Sequence, residues 1–163
     1  LNNFLGDENE NYQFINGSEN NSGGGSLVKS TDKKNITYSV DSLVKKYFKP
    51  DYIKIDVEGL EFQLLENSNF IKNNMPILYI EINDKALTKN GSSSKKILQL
   101  LKNYGYSFFR NVGYRNLNND LYLTCFMEDF NKFSLSNIFD VLCVRKQSQV
   151  FEYLYKSSIK IKF

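Results

Sequence analysis

The sequence contains no histidine and no tryptophan, and only two cysteines and two prolines among its 163 residues. Without histidine, and with so few thiols, a structural zinc site is excluded, and so are the histidine-dependent catalytic triads. Any acid–base chemistry must therefore fall to aspartate, glutamate, lysine or tyrosine. Cys125 and Cys143 both lie in apolar runs typical of strands. Buried reduced thiols are the favoured interpretation, and a disulfide between neighbouring strands is the alternative.

The sequence also lacks a long apolar run and a block of charge of one sign. No stretch approaches the roughly 20 apolar residues of a membrane span, and no signal peptide is visible. Basic and acidic residues alternate, and the net charge is only +3. We therefore expect no membrane span and no nucleic-acid partner, and a cytoplasmic location by default. Because the sequence opens at Leu1 without a methionine, we expect it to be part of a longer polypeptide or to have been processed.

The most informative segment runs from Asp51 to Asp84, in which apolar and acidic residues alternate. It predicts a buried strand at Tyr52–Ile55, an acidic turn, an amphipathic helix over Gly59–Asn67 and a second buried strand at Ile77–Ile82. Two such strands joined by a helical crossover favour an open α/β sheet. In such sheets, ligands bind at the carboxyl ends of the strands.

Carboxylates follow both of these predicted strands at the point where each strand ends. Asp56 and Glu58 come directly after the first strand, and Gly59 allows the chain to turn sharply into the helix. Glu81 lies near the end of the second strand, and Asn83 extends the polar cluster beyond it. These side chains are therefore expected to lie close together at one edge of the sheet.

Each of these carboxylates also has a purely structural explanation. Glu58 at the start of a helix would be stabilised by the helix dipole, by about 0.3–1 kcal/mol. Asp56, which ends a buried strand, must be paired with Lys54, bind a ligand or line a wet cleft. For Glu81 a partly open cleft is the preferred interpretation, and an ion pair with a lysine at the rim of the sheet is the alternative.

The rest of the sequence predicts further strands and helices around this segment. Gly17–Ser26 is rich in glycine, serine and asparagine and is interpreted as a mobile connection. The order favours an α/β sheet with antiparallel pairing at its last edge. The predicted strands are Tyr12–Ile15, Ile36–Val40, Tyr106–Val112, Leu121–Met127 and Phe139–Val144, and the predicted helices are Leu43–Phe48 capped by Asp41-Ser42, Lys95–Tyr104 and the terminal segment Val150–Phe163.

The string IKIDVEGLEFQLLENS, preceded by VDSLVKKYFKPDY and followed by PILYIEIN, resembles the FkbM-type S-adenosylmethionine-dependent methyltransferases. The match is close from Val40 to Asn83 and fainter over Leu5–Ser26 and Lys102–Phe109. The resemblance implies a Rossmann-like class I methyltransferase sheet, in which Asp51–Asp56 is the fourth strand and Ile77–Ile82 the fifth. It also implies transfer of a methyl group to a hydroxyl oxygen of a sugar, lipid or similar small acceptor.

Carried over by position, the resemblance implies a set of site residues and no metal. Asp56, Glu58 and Glu81 would be catalytic, Asp56 and Gly59 would contact the donor S-adenosylmethionine, and Glu58 and Asn83 would contact the acceptor. Methyl transfer from a sulfonium is an in-line displacement, so alignment supplies much of the catalysis and a modest carboxylate base suffices.

The sequence departs from the family in lacking a first strand with a glycine-rich donor turn before the central block. Residues 1–146 are therefore expected to be the C-terminal part of an FkbM-like domain, and residues 147–163 a terminal helix or tail. The open edge of such a half-sheet favours self-association. One alternative is a non-catalytic remnant or interaction module completed by a partner chain. Another is a carboxylate-based magnesium or manganese enzyme.

The residues that would contact the acceptor outside this segment are not evident from the sequence. Tyr114 and Arg115 are the candidates for an acceptor platform.

Overall fold

The computed structural model describes residues 4–5, 12–15, 26–30, 37–112 and 124–158, and its largest element is one five-stranded sheet. In chain order the strands are β1 (Phe4–Leu5), β2 (Tyr12–Ile15), β3 (Ser26–Lys29), β4 (Thr37–Tyr38), β5 (Tyr52–Ile55), β6 (Ile77–Ile82), β7 (Tyr106–Asn111), β8 (Thr124–Phe126) and β9 (Phe139–Arg145). The helices are α1 (Val40–Lys46), α2 (Glu61–Glu66), α3 (Asn69–Asn74), α4 (Asp84–Lys89), α5 (Ser94–Asn103) and α6 (Gln149–Ser157). A 3-10 helix occupies Phe130–Lys132.

The five strands of the large sheet lie in the order β5-β6-β9-β7-β8. The pair β5 and β6 is parallel, as the helical crossover between them requires, and every other pair in this sheet is antiparallel. The predicted α/β sheet with antiparallel strands toward its last edge is therefore confirmed. In two smaller pairings, β1 runs parallel to β4 and β2 runs antiparallel to β3.

One face of the large sheet forms the hydrophobic core. Ile55 on β5, Ile80 on β6 and Val141 on β9 are neighbours in register and are buried together. Helix α5 packs onto this core through Ile97, Leu98 and Leu101, which recur at helical spacing and are buried. The core therefore fixes the strand register, and with it the position at which β5 and β6 end.

The crossover from β5 to β6 consists of two short helices instead of the single predicted helix over Gly59–Asn67. Helix α2 begins at Glu61, and α3 follows after Ser68, whose hydroxyl accepts the Ile71 N–H at 3.2 Å. The Asp41 carboxylate on α1 accepts the Phe70 N–H at 2.9 Å. This contact ties the start of α3 to the helix that precedes β5.

Three further predictions need correction. Helix α1 begins at Val40 with Ser39 as its N-cap, so the predicted Asp41-Ser42 cap and the predicted strand Ile36–Val40 are both displaced. Strand β5 is buried on one face only, because Tyr52 and Lys54 are exposed and Ile55 is the buried residue of the strand. Helix α4 was not predicted, because its six residues give too short a periodic signal.

Several predicted elements match closely, and others fall outside the described residues. Tyr52–Ile55 and Ile77–Ile82 are the observed bounds of β5 and β6. The loop predicted at Gly17–Ser26 lies outside the described residues, except for Ser26 at the start of β3. A terminal helix is present as α6, whereas the division of the chain into residues 1–146 and 147–163 stays a prediction.

The two cysteines lie within the large sheet. Cys125 and Cys143 are both buried thiols outside any disulfide, in agreement with the favoured interpretation as reduced thiols. Strand β7 lies between the strands that carry them, so the two cysteines are not on neighbouring strands.

Among the described helices, none has the length and apolarity needed to cross a membrane.

Candidate active site

The turn from Asp56 to Gly59 joins β5 to α2 at the carboxyl edge of the parallel strand pair. Two consecutive residues of this turn have left-handed backbone, Glu58 with φ +51° and Gly59 with φ +101°. Such a conformation costs a non-glycine residue of the order of 1–3 kcal/mol, so the surrounding structure must hold Glu58 in place. Glycine is needed at position 59, because that backbone region is open to it without a steric penalty.

Gly59 is also needed because α4 lies directly against it. A β-carbon at this position would lie 2.7 Å from the carbonyl oxygen of Ala86 and 2.9 Å from the side-chain nitrogen of Asn90. Gly59 is buried, and the atoms nearest to the added β-carbon belong to the backbone of Ala86. The turn is therefore pressed against α4 on one side.

Glu61 also holds this turn, through hydrogen bonds to its backbone. Its carboxylate oxygen Oε1 accepts the backbone N–H groups of Val57 and Gly59, each at 3.2 Å. The residue is only 2% exposed, and its second oxygen, Oε2, has no hydrogen-bond partner within the described part of the chain. Burial raises the pKa of Glu61, and the backbone hydrogen bonds oppose that shift.

Sequence reasoning missed Glu61, although a signal for it was present. A glutamate in the first turn of a helix can accept hydrogen bonds from backbone N–H groups at or before the helix start that have no partner within the helix. Here the residue stands three positions after Glu58 and is the first residue of α2. The acidic residue in the first turn of α2 is Glu61, so the structural alternative considered for Glu58, a carboxylate at the helix start, describes Glu61 instead.

Asp56 is paired with Lys54, which was one of the alternatives that the sequence left open. The Lys54 ammonium donates to Asp56 Oδ2 at 3.0 Å, across two residues of the same strand end. The hydrogen bond to Asp56, followed by its charge, raises the pKa of Lys54. Both side chains are substantially solvent-exposed, so the pair orients Asp56 more than it stabilises the fold.

Three predicted carboxylates lie close enough to affect one another. Asp56 and Glu81 directly follow Ile55 and Ile80, which are paired in register, so they end side by side at one edge of the sheet. The pKa of Glu58 is raised first by burial and then by the negative charges of Asp56 and Glu81. Burial and the nearby negative charges therefore make Glu58 a stronger base than an ordinary glutamate.

A fourth carboxylate, Asp140, lies at this edge and was not predicted. It is the register partner of Glu81 in the antiparallel pair of β6 and β9, so both side chains lie on the same face of the sheet. Asp140 is only 8% exposed. The predicted strand Phe139–Val144 includes Asp140, but the sequence does not show that this residue lies opposite Glu81.

Asn83 and Asp84, just beyond β6, mainly cap helices. The Asn83 side chain accepts the Ala86 N–H at 3.3 Å and is the N-cap of α4. The Asp84 carboxylate accepts the Ser94 N–H at 2.8 Å and the Ser94 hydroxyl at 2.7 Å, which anchors the start of α5. These contacts fix the position of the loop beside Glu81.

No group of three aspartate, glutamate, histidine or cysteine side chains is arranged to hold a metal ion among the described residues. The metal-enzyme alternative thus has no observation in its favour. Tyr114 and Arg115, predicted as acceptor contacts, lie outside the described residues.

The sheet, with one parallel pair beside antiparallel strands and with carboxylates at its edge, is compatible with a Rossmann-like methyltransferase fold. A comparison with known protein families matches residues 3–108, more than half of the chain, to the methyltransferase FkbM domain. The chain therefore belongs to the FkbM methyltransferase family, which confirms the resemblance carried by Val40–Asn83. No match was found among curated proteins or among solved structures.

Proposed function

We propose that this methyltransferase uses S-adenosylmethionine and transfers the methyl group to a hydroxyl of a sugar, lipid or similar small acceptor. The observation that carries the proposal is the turn after β5, in which burial and the nearby charges of Asp56 and Glu81 raise the pKa of Glu58. A general base for a hydroxyl must accept a proton while the oxygen attacks, and a carboxylate of raised pKa does so more readily. Glu58 is the residue that we assign to this step.

The acidic edge fits the donor chemically. S-adenosylmethionine supplies an electrophilic methyl group on a positively charged sulfur. Asp56, Glu58 and Glu81 form a negative edge in which Lys54 is paired with Asp56, and such an edge attracts a cation. In the proposal Asp56 and the Gly59 turn contact the donor, and Glu58 with Asn83 contacts the acceptor. Glu81 keeps the edge negative and orients the groups bound there.

We further propose that the donor site is completed by an additional polypeptide segment that forms a strand beside the outer edge of β5. Within the described residues, β5 has one strand partner, β6. Beside it, a groove of about 370 Å³ between α1 and β5 is lined mainly by apolar side chains. Tyr47, Phe48 and Tyr52 at this groove are each at least half exposed. We propose that the chain self-associates through this edge. We also propose that it does so in the cytoplasm.

The experiment is methyl transfer by the full-length protein from methyl-labelled S-adenosylmethionine to a panel of saccharide and lipid hydroxyls. We expect Glu58→Gln to bind the donor normally and to lower the transfer rate by about 100-fold or more. Glu66→Gln, an exposed change on α2, the helix that follows the turn, is the matched control and should leave the rate unchanged. Binding is measured by calorimetry with S-adenosylmethionine.

The pH dependence provides an independent check on Glu58. A base must be deprotonated to act, so the rate should rise with pH through the raised pKa of Glu58 and then level off. The Glu58→Gln variant should lose that rising limb. Unchanged turnover or an unchanged pH profile in Glu58→Gln would remove Glu58 from the mechanism.

A second candidate function is a non-catalytic interaction module completed by a partner chain. It is favoured by the same exposed aromatic groove beside β5. Sedimentation of the purified chain separates the two candidates when combined with the donor titration. A dimer without donor binding supports the interaction module, whereas donor binding supports the enzyme.

A further inference from the structure

We propose that Glu61 is a positioning residue for methyl transfer, which holds the Asp56–Gly59 turn in its active shape without touching donor or acceptor. The inference rests on the proposed function, because it concerns the turn that carries Asp56 and Glu58. It adds a residue that the family resemblance did not assign a role. Its basis is the geometry of the turn.

The backbone of this turn is held by few bonds of its own. One backbone hydrogen bond spans it, from Leu60 N–H to the Val57 carbonyl at 3.3 Å. Both Glu58 and Gly59 have left-handed backbone, which is strained for Glu58 because it is not a glycine. The additional restraint comes from Glu61 Oε1, which accepts hydrogen bonds from the N–H groups of the residues on both sides of Glu58.

The position of Glu61 shows that its carboxylate serves the turn. Leu60, the N-cap of α2, makes no side-chain capping bond. The Glu61 side chain turns back from the first helical residue and is buried beneath the turn, while α4 meets Gly59 through Ala86. The residues on both sides of Glu58 are thus held, since Glu61 accepts the N–H groups of Val57 and Gly59 and α4 lies against Gly59.

Displacement of a catalytic group by about 1 Å can cost about 100-fold in rate. Shortening the side chain at position 61 by one methylene removes the reach to both N–H groups but keeps the charge. Replacing the carboxylate by an amide keeps an acceptor oxygen at the same distance. Glu61→Asp and Glu61→Gln therefore separate the hydrogen bonds from the charge.

The test combines hydrogen exchange and kinetics on the full-length protein. We expect Glu61→Gln to keep slow exchange at the Val57 and Gly59 amides and a kcat within about threefold of wild type. We expect Glu61→Asp to speed exchange at these two amides at least tenfold and to lower kcat by about 10- to 100-fold, with little change in KM. Glu66→Asp on the same helix should change neither quantity.

Each readout can overturn the proposal. Unchanged exchange at the two amides in Glu61→Asp would show that the carboxylate does not hold the turn. Faster exchange throughout the protein, with kcat reduced only in proportion to the folded fraction, would show a purely structural role. An unchanged kcat with a released turn would show that catalysis does not need it. A wild-type protein without methyl transfer would refute the proposed function instead, and the exchange result would still decide whether Glu61 holds the turn.

Discussion

Replacing Gly59 with alanine tests how tightly the turn is enclosed. The new β-carbon would lie 2.7 Å from the Ala86 carbonyl oxygen and 2.8 Å from its carbon, and backbone cannot move away as a flexible side chain can. The matched control is Gly91→Ala. Gly91 also has a left-handed backbone, with φ +75°, but nothing lies within 4 Å of the added carbon.

Two costs add up in Gly59→Ala and only one in the control. The left-handed conformation costs alanine about 1–2 kcal/mol at either position. Overpacking against α4 adds about 1–3 kcal/mol at position 59 only. We therefore expect Gly59→Ala to lower the free energy of unfolding by about 2–5 kcal/mol, and Gly91→Ala by about 1–2 kcal/mol. The larger loss is a substantial part of the 5–15 kcal/mol typical of a folded domain.

Urea unfolding followed by far-UV circular dichroism measures both values, since the protein contains no tryptophan for fluorescence. The two variants should differ by at least about 1 kcal/mol at an unchanged slope with urea concentration. Equal losses, within about 0.5 kcal/mol, would refute the close approach of α4 to the turn.

Two further predictions concern the core. The buried Tyr106 hydroxyl donates to the Pro76 carbonyl oxygen at 2.8 Å, so Tyr106→Phe should lower the free energy of unfolding by about 1–2 kcal/mol, as judged by urea unfolding. No measurable loss would show that water replaces this bond. Burial raises the pKa of the Cys143 thiol, so iodoacetamide at pH 8 should label it at least about 100-fold more slowly in the native protein than in urea, as followed by mass spectrometry. Rapid native labelling would contradict the packing of β9.

The parallel strand pair was predictable because its signals are local and agree with one another. Tyr52–Ile55 and Ile77–Ile82 are short apolar runs, each followed by acidic or polar residues, and the helical spacing between them requires a crossover. The exposed face of β5 was missed although Lys54 marks it, because four residues give only a short alternation of apolar and polar side chains.

The short helices α3 and α4 were missed because six residues make less than two helical turns. Their caps were nevertheless visible, since Ser68 and Asn83 are typical N-cap residues. In the candidate site, the grouping of Asp56, Glu58 and Glu81 followed from strand order. The role of Glu61 depends on a side chain that folds back onto the turn, and the position of Asp140 depends on the antiparallel register of β6 and β9. Neither feature is encoded by spacing along the chain.

The place of β9 in the sheet has a consequence for synthesis on the ribosome. β9 follows β6 and β7 in the chain but lies between them and pairs with both. Until residue 145 has left the ribosome, those two strands have no bridge and each exposes an unpaired edge that another chain can join. A nascent polypeptide stalled before Phe139 would carry two separate pieces of sheet, so chaperone dependence should fall sharply once β9 is made.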